Sequence, residues 1–230
     1  MAKKPAIVLV HGFWGGAAHW SKVIVRLDKL GYTDIHAVEN PLTSLGDDLA
    51  RTAKMVTQVK GPVLLAGHSY GGAVITGAGI ATNVVGLVYI AGFAPDAGES
   101  LADIAQAAPP PAGAQNVTPD SDGYVWIDRA KFGESFCQDL PPDEQLVMAI
   151  TQKAPVGSTF GDRMGTPAWR SKPSWYQISS EDRMIHPENQ KRMSARLGAR
   201  KIITLAAGHA SLASKPDEVA ALIDEAATAG

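Results

Sequence analysis

Short apolar runs alternate along this chain with longer stretches in which apolar residues recur every three or four positions. Residues 7–10 are apolar throughout, as a strand covered on both faces would be. Trp20, Val23, Ile24, Leu27 and Leu30 follow at helical spacing, and Gly31 can end that helix. Residues 35–38 predict a second strand. Ser44 with Asp47 resembles a capping box, opening a helix with Leu45, Leu49, Ala53 and Val56 on one face, and Gly61-Pro62 stops it. Residues 63–66 predict a third strand, followed by a helix rich in small residues and a fourth strand over 84–91.

The pattern breaks at Pro95. From there to Pro173 the sequence is irregular and proline-rich, with Pro109-Pro110-Pro111 and Pro141-Pro142, and predicts one clear helix near 142–152. Alternation resumes with a strand over 175–179, a helix over 187–197, a strand over 201–205 and a helix over 214–227. Ser214 is the expected N-cap of that last helix, with Val219, Leu222, Ile223 and Ala226 as its buried stripe. Strands alternating with helices predict an α/β fold with a mainly parallel sheet of about six strands flanked by helices. Residues 1–94 and 174–230 form its expected core. Residues 95–173 are too many for an ordinary loop and are expected to be an inserted cap over one end of the sheet.

Composition narrows the function classes. With 45% hydrophobic and 19% charged residues, the 230-residue chain reads as one globular domain. The formal net charge is −2 and no basic stripe is visible, so nucleic acid is not an expected partner. No apolar run is long enough to span a membrane. Cys137 is the single cysteine; it allows no internal disulfide and fits a reducing compartment, so the protein is expected to be cytoplasmic. No nucleotide-binding loop and no metal-ligand spacing is present; Gly77-Ala78-Gly79 lies inside a helix and lacks the third glycine of a dinucleotide motif. No cofactor or metal is expected, and the sequence leaves a homodimer open.

The chemistry concentrates at Gly67-His68-Ser69-Tyr70-Gly71, set between a strand and a helix. A G-x-S-x-G in that setting can form a tight elbow that lifts Ser69 above the sheet, and the glycines supply room where a side chain would collide with backbone. A serine nucleophile needs a base. Of six histidines, His11 and His68 flank glycine turns, His19 and His36 fall in or beside regular elements, and His186 precedes a helix start. His209 follows the last strand, at the sheet edge where Ser69 also lies, and is the expected base. Asp182, after the strand over 175–179, reaches the same edge and is the expected acid. It could instead pair with Arg183 or cap the helix at Pro187; Asp96 is its rival for the acid role. The chain order Ser69, Asp182, His209 is that of α/β-hydrolases. The loop His11-Gly12-Phe13-Trp14-Gly15-Gly16 follows the first strand and can supply an oxyanion-binding N–H from Phe13, with a second from Tyr70.

These pieces resemble the α/β-hydrolase superfamily, and within it the small esterases related to plant methyl-ester esterases and hydroxynitrile lyases. The matching segments are Val8-Leu9-Val10-His11-Gly12, Gly67-His68-Ser69-Tyr70-Gly71-Gly72, Ser180-Glu181-Asp182-Arg183 with Ile185, and Gly208-His209. The resemblance is weakest over the insertion. It implies an esterase with Ser69, His209 and Asp182 as catalytic residues and Phe13 and Tyr70 as oxyanion hole. Two departures separate the chain from the lyases: Ala210 stands where they carry lysine after the base, and Gly12 where they carry threonine. Hydrolysis of a small carboxylic ester is therefore the leading expectation. A lyase with the same three residues, or a non-catalytic small-molecule receptor on the same fold, are the alternatives. Among the apolar side chains, Trp14, Trp126, Phe136 and Met148 are expected to line a compact substrate pocket.

Overall fold

The computed structural model describes residues 4–229, so positions 1–3 and 230 of the expected core lie outside the described residues. In chain order the strands are β1 (Ala6–Val10), β2 (Ile35–Val38), β3 (Val63–His68), β4 (Val84–Ile90), β5 (Val117–Pro119), β6 (Val125–Ile127), β7 (Ser174–Ser179) and β8 (Lys201–Leu205). Six of them form one parallel sheet in the order β2-β1-β3-β4-β7-β8, and β5 pairs with β6 as a separate antiparallel hairpin. The helices are α1 (Ser21–Lys29), α2 (Leu45–Gln58), α3 (Tyr70–Ala78), α4 (Leu101–Ala105), α5 (Phe132–Phe136), α6 (Pro142–Thr151), α7 (Pro187–Arg196), α8 (Ser211–Ser214) and α9 (Pro216–Thr228).

Side chains on a strand alternate between faces, so the apolar run of β1 feeds two cores. Ile7 and Leu9 join Trp20, Val23 and Leu27 near α1 and Val219, Leu222 and Ile223 of α9. Val8 and Val10 join Val56 of α2, Val74 and Ile75 of α3 and Met193 of α7. Parallel strands need helical crossovers, and right-handed crossovers place the helices on both faces. Every β1, β3, β4 and β7 strand then points its C-terminal end toward one edge of the sheet, and that edge carries the site.

β4 and β7 are sheet neighbours, with Tyr89 opposite Tyr176, although residues 95–173 run between them. The expected helix of that segment is present as α6. The segment also contains α4, α5 and the β5–β6 hairpin, which periodicity did not reveal because each is only three to five residues long. Backbone hydrogen bonds tie it to the sheet edge: Val156 N–H donates to the Leu42 carbonyl, Trp14 N–H to that of Lys153 and Gly113 N–H to that of Arg183.

Two local expectations are corrected. The last helix begins at Pro216, not at Ser214; proline is tolerated only in a first turn, so the helix must start there. Ser214 ends α8 instead, and its hydroxyl is buried without a partner. On α2, Ser44 does cap the helix by accepting from Asp47 N–H at 3.0 Å. Its buried stripe, however, is Leu45, Asp48, Thr52 and Val56, while Leu49 and Ala53 are only half-buried. The rotation follows from internal partners for the two polar residues, given below.

Candidate active site

β3 ends in a turn that places Ser69 at the N-terminus of α3 with φ 56° and ψ −125°, a left-handed conformation costly for a residue with a side chain. Its neighbours hold it there. Ser69 N–H donates to the Ile90 carbonyl at 3.1 Å, and its own carbonyl accepts from Gly72 at 3.0 Å and Phe93 at 2.9 Å. A Cβ at Gly71 would lie 2.3 Å from the Val10 carbonyl oxygen, so only glycine lets α3 pass this close to β1. At Gly12 a Cβ would lie 2.6 Å from that of Ser69, so the threonine of the lyase pattern would need a displaced loop.

His209 lies in the loop between β8 and α8, fully buried, with Nε2 2.8 Å from Ser69 Oγ. Its Nδ1 is 2.8 Å from Oδ2 of Asp182, which is itself almost completely buried. An ionised carboxylate only accepts, so Nδ1 carries the proton and Nε2 is left to accept from the serine hydroxyl. The carboxylate is saturated. Oδ1 accepts from Met184 N–H at 2.7 Å and Ile185 N–H at 2.9 Å, and Oδ2 accepts a second bond from Gln190 Nε2 at 2.7 Å. Gln190 is fixed in turn, accepting from Ser179 N–H and donating to the Ile185 carbonyl.

Two further imidazoles, His68 and His19, lie near His209, with His11 beyond them, and burial keeps each of the three neutral. Burial pulls His68 well below the ordinary histidine range, lowers His11, and brings His19 down to about 4. His68 Nε2 donates to the His209 carbonyl at 2.8 Å, and His11 Nε2 accepts from Asn40 N–H at 2.9 Å. These three histidines therefore put no positive charge beside the His209 ring and serve as scaffold. His186 caps α7, accepting from Glu188 N–H. Asp96, the rival acid, is paired with Arg170, and the carboxylate that meets His209 is that of Asp182. Cys137 offers no competing nucleophile, because burial pushes its thiol up to about 12.

Ser69 opens into a cavity of about 310 Å3. Phe13, Trp14 and Phe93 line it from the sheet edge, Ala105, Pro111, Ala114, Val117 and Phe160 from the insertion, and Met184 and Ile185 from the loop bearing Asp182. No charged side chain lines it. Among the described residues, neither Phe13 N–H nor Tyr70 N–H has an internal acceptor. The two rings stack at 4.0 Å with 14° between their planes.

Of the four side chains expected in the pocket, Trp14 is there and three are elsewhere. Trp126 sits on the outer side of the hairpin, 40% exposed, donating its Nε1–H to Asp120. Met148 lines a separate depression with His19 and Lys22. Phe136 is fully buried behind the base, its ring edge-on to His209 at 4.9 Å, and its carbonyl accepts from Ala210 N–H. The residues not singled out from sequence are Gln190 and most of the lining. Met184 had a signal, because it lies two residues after Asp182 and beside Ile185, which the family resemblance already marked. The insertion alanines had none.

Residues 7–222 match the description of the alpha/beta hydrolase family. The chain belongs to this family. It is 28% identical to the alpha/beta hydrolase nvfD of Aspergillus novofumigatus over 97% of each chain. It is 35% identical to a carbendazim hydrolyzing esterase of a Nocardioides species over 47% of this chain and 50% of that one. The solved structure of a pyrethroid hydrolase from Sphingobium faniae has the same fold, with a TM-score of 0.82 at 21% identity over 97% of this chain and 98% of that one. This alpha/beta hydrolase thus has an esterase among its relatives, and no helix among its described residues is long and apolar enough to cross a membrane.

Proposed function

We propose that this protein hydrolyses small uncharged carboxylic esters through an acyl-enzyme on Ser69. The observation that carries the reading is the unbroken series Ser69 Oγ, His209 and buried Asp182, linked by two contacts of 2.8 Å, at the wall of an uncharged cavity. His209 Nε2 takes the hydroxyl proton as Ser69 attacks the carbonyl carbon. The negative charge that develops on the carbonyl oxygen meets the Phe13 and Tyr70 N–H groups at the positive end of α3. His209 returns the proton to the leaving alcohol, and water, deprotonated by the same imidazole, releases the acid. Asp182 fixes the tautomer and stabilises the imidazolium without taking the proton. The lone buried cysteine supports a reducing, cytoplasmic setting.

Cavity size sets the substrate. At about 310 Å3 the site lies at the small end of the ligand-pocket range of about 300–1,000 Å3. Its aromatic walls suit an aromatic alcohol part, and the lack of lysine or arginine disfavours an anionic one. Across p-nitrophenyl esters from acetate to palmitate, each methylene that fits can raise kcat/KM by at most about fourfold, from about 0.8 kcal/mol of burial. The expected profile peaks between acetyl and butyryl and then falls. A maximum at long chains would mean an open groove in place of a closed pocket, and this reading of the substrate would be dropped.

The alternative lyase reading is tested separately. Ala210 is fully buried and puts no cation beside the base to stabilise departing cyanide. No useful cleavage of mandelonitrile-type cyanohydrins is expected; cyanide release at a rate comparable to ester hydrolysis would overturn the assignment.

A further inference from the structure

The buried stripe of α2 contains two polar residues where helical packing calls for apolar ones. Asp48 is fully buried, one turn from Leu45 and Thr52, on a helix that lines no part of the cavity. A buried carboxylate is costly unless paired, and a leucine there would extend the stripe at no such cost. Asp48 is paired on both oxygens. Oδ2 accepts from the Tyr70 hydroxyl at 2.6 Å and Oδ1 from Leu42 N–H at 2.9 Å. Leu42 is itself held at φ 64°, and its carbonyl receives Val156 N–H from the insertion. Burial raises the Asp48 carboxyl above its ordinary range and raises the Tyr70 phenol too, so the phenol keeps its proton and donates it to Asp48, a bond that offsets part of the burial cost of the carboxyl.

Both groups proposed to bind the oxyanion are reached from this stripe. The Tyr70 ring, anchored by Asp48, lies flat on the Phe13 ring, and Tyr70 and Phe13 carry the two free N–H groups. Thr52, one turn further along, donates to Asn40 Oδ1 at 3.4 Å, and Asn40 binds the backbone carbonyl and the ring of His11, two residues before Phe13. One helix therefore grips both the loop after β1 and the start of α3.

We propose that Asp48 is a positioning residue of the oxyanion site: through the Tyr70 hydroxyl and the Tyr70–Phe13 stack it fixes the spacing of the two backbone N–H donors. It touches no substrate and moves no proton in the reaction. The proposal rests on the esterase reading above. A displacement of either donor by a fraction of an ångström weakens binding of the oxyanion while leaving the substrate's apolar contacts untouched.

Tyr70→Phe keeps the backbone N–H and the stack but cuts the bond to Asp48; Asp48→Asn has one oxygen for two donors, so it weakens that bond and leaves its amide to donate to the phenol oxygen. Each is assayed for hydrolysis of p-nitrophenyl butyrate and for inhibition by an alkyl boronic acid, whose serine adduct places a negative oxygen where the oxyanion forms. Tyr70→Phe is expected to lower kcat by about 10- to 100-fold with KM within about twofold, and to weaken boronate inhibition by the same factor. Asp48→Asn is expected to retain more activity than Tyr70→Phe: with its oxygen kept on Leu42 N–H, its amide nitrogen can still donate to the phenol oxygen and hold the ring. Unchanged kcat in a folded Tyr70→Phe protein overturns the proposal, as does a fall in kcat without matching loss of boronate affinity. Should Tyr70→Phe fail to fold, the same two readouts on Asp48→Asn decide it: a measurable fall in kcat with a parallel loss of boronate affinity supports it, and unchanged kcat or unequal losses overturn it. A wild-type protein that neither cleaves the ester nor binds the boronate would sink the esterase reading and this proposal with it.

Discussion

Replacing Ser69 by alanine is expected to lower kcat for an activated ester by about a millionfold, the scale of nucleophile loss in serine protease triads. The change is small in structural terms. The elbow is held by backbone bonds from Ser69 to Ile90, Gly72 and Phe93, none of which involves the hydroxyl. Alanine can keep the same φ of 56° at no greater strain than serine. What is lost is the hydroxyl that His209 Nε2 contacts, so the imidazole has no serine proton to take and no acyl group is captured. Stopped-flow with p-nitrophenyl butyrate should show the burst of nitrophenol vanish while thermal stability is retained. A folded Ser69→Ala protein with near-wild-type turnover would sink the covalent mechanism.

Asp182→Asn should cost about 10⁴-fold in kcat, by analogy with the same change in a serine protease, and the bonding around the carboxylate shows why no rotamer escapes it. Both oxygens face donors: two backbone N–H groups at Oδ1, and Gln190 and His209 at Oδ2. If the new amide nitrogen takes the first position, it confronts Met184 and Ile185 N–H. If it takes the second, it confronts Gln190 and forces His209 to present a bare Nδ1. The proton then moves to Nε2, which can no longer accept from Ser69. Glu181, whose carbonyl rather than carboxylate is used in receiving Gln138 Nε2, is the control. Glu181→Gln should change kcat by less than about twofold. If Glu181→Gln proves the more damaging of the two, the acid has been misassigned by one position.

The sheet and its covering helices were legible because their signals are periodic. Strands buried on both faces leave continuous apolar runs, and α1 and α9 repeat at 3.6 residues. The juxtaposition of Ser69, Asp182 and His209 was legible for a different reason: three loops at one edge of a parallel sheet must converge whatever their internal structure. The pocket had no such rule behind it. Its insertion wall is built from Ala105, Pro111, Ala114 and Val117, small residues in a segment without period, and their neighbourhood is set by hydrogen bonds from residues dozens of positions away. Large aromatics drew attention instead, yet Trp126 stayed outside because its indole N–H found Asp120, and Phe136 went behind the base. Asp48 escaped for a related reason. An acidic residue in a helix reads as a solvated face, and its burial is offset by partners distant in the pattern, the Tyr70 hydroxyl and Leu42 N–H.

The loop after β7 has two jobs bound to one short backbone. Met184 and Ile185 shape the cavity with their side chains while their amides tether the acid. Selectivity and reactivity are therefore not independent traits here. A lineage or an engineer seeking a new substrate by changing residues 184 or 185 works on a segment whose every shift tugs at Asp182. Ala114 shares that constraint, because Gly113 beside it donates to the Arg183 carbonyl. Ala105, Val117 and Phe160, by contrast, are carried by parts of the insertion that, among the described residues, make no backbone bond to the Asp182 loop. Divergence in what such an enzyme accepts should accumulate in the insertion and spare the acid loop.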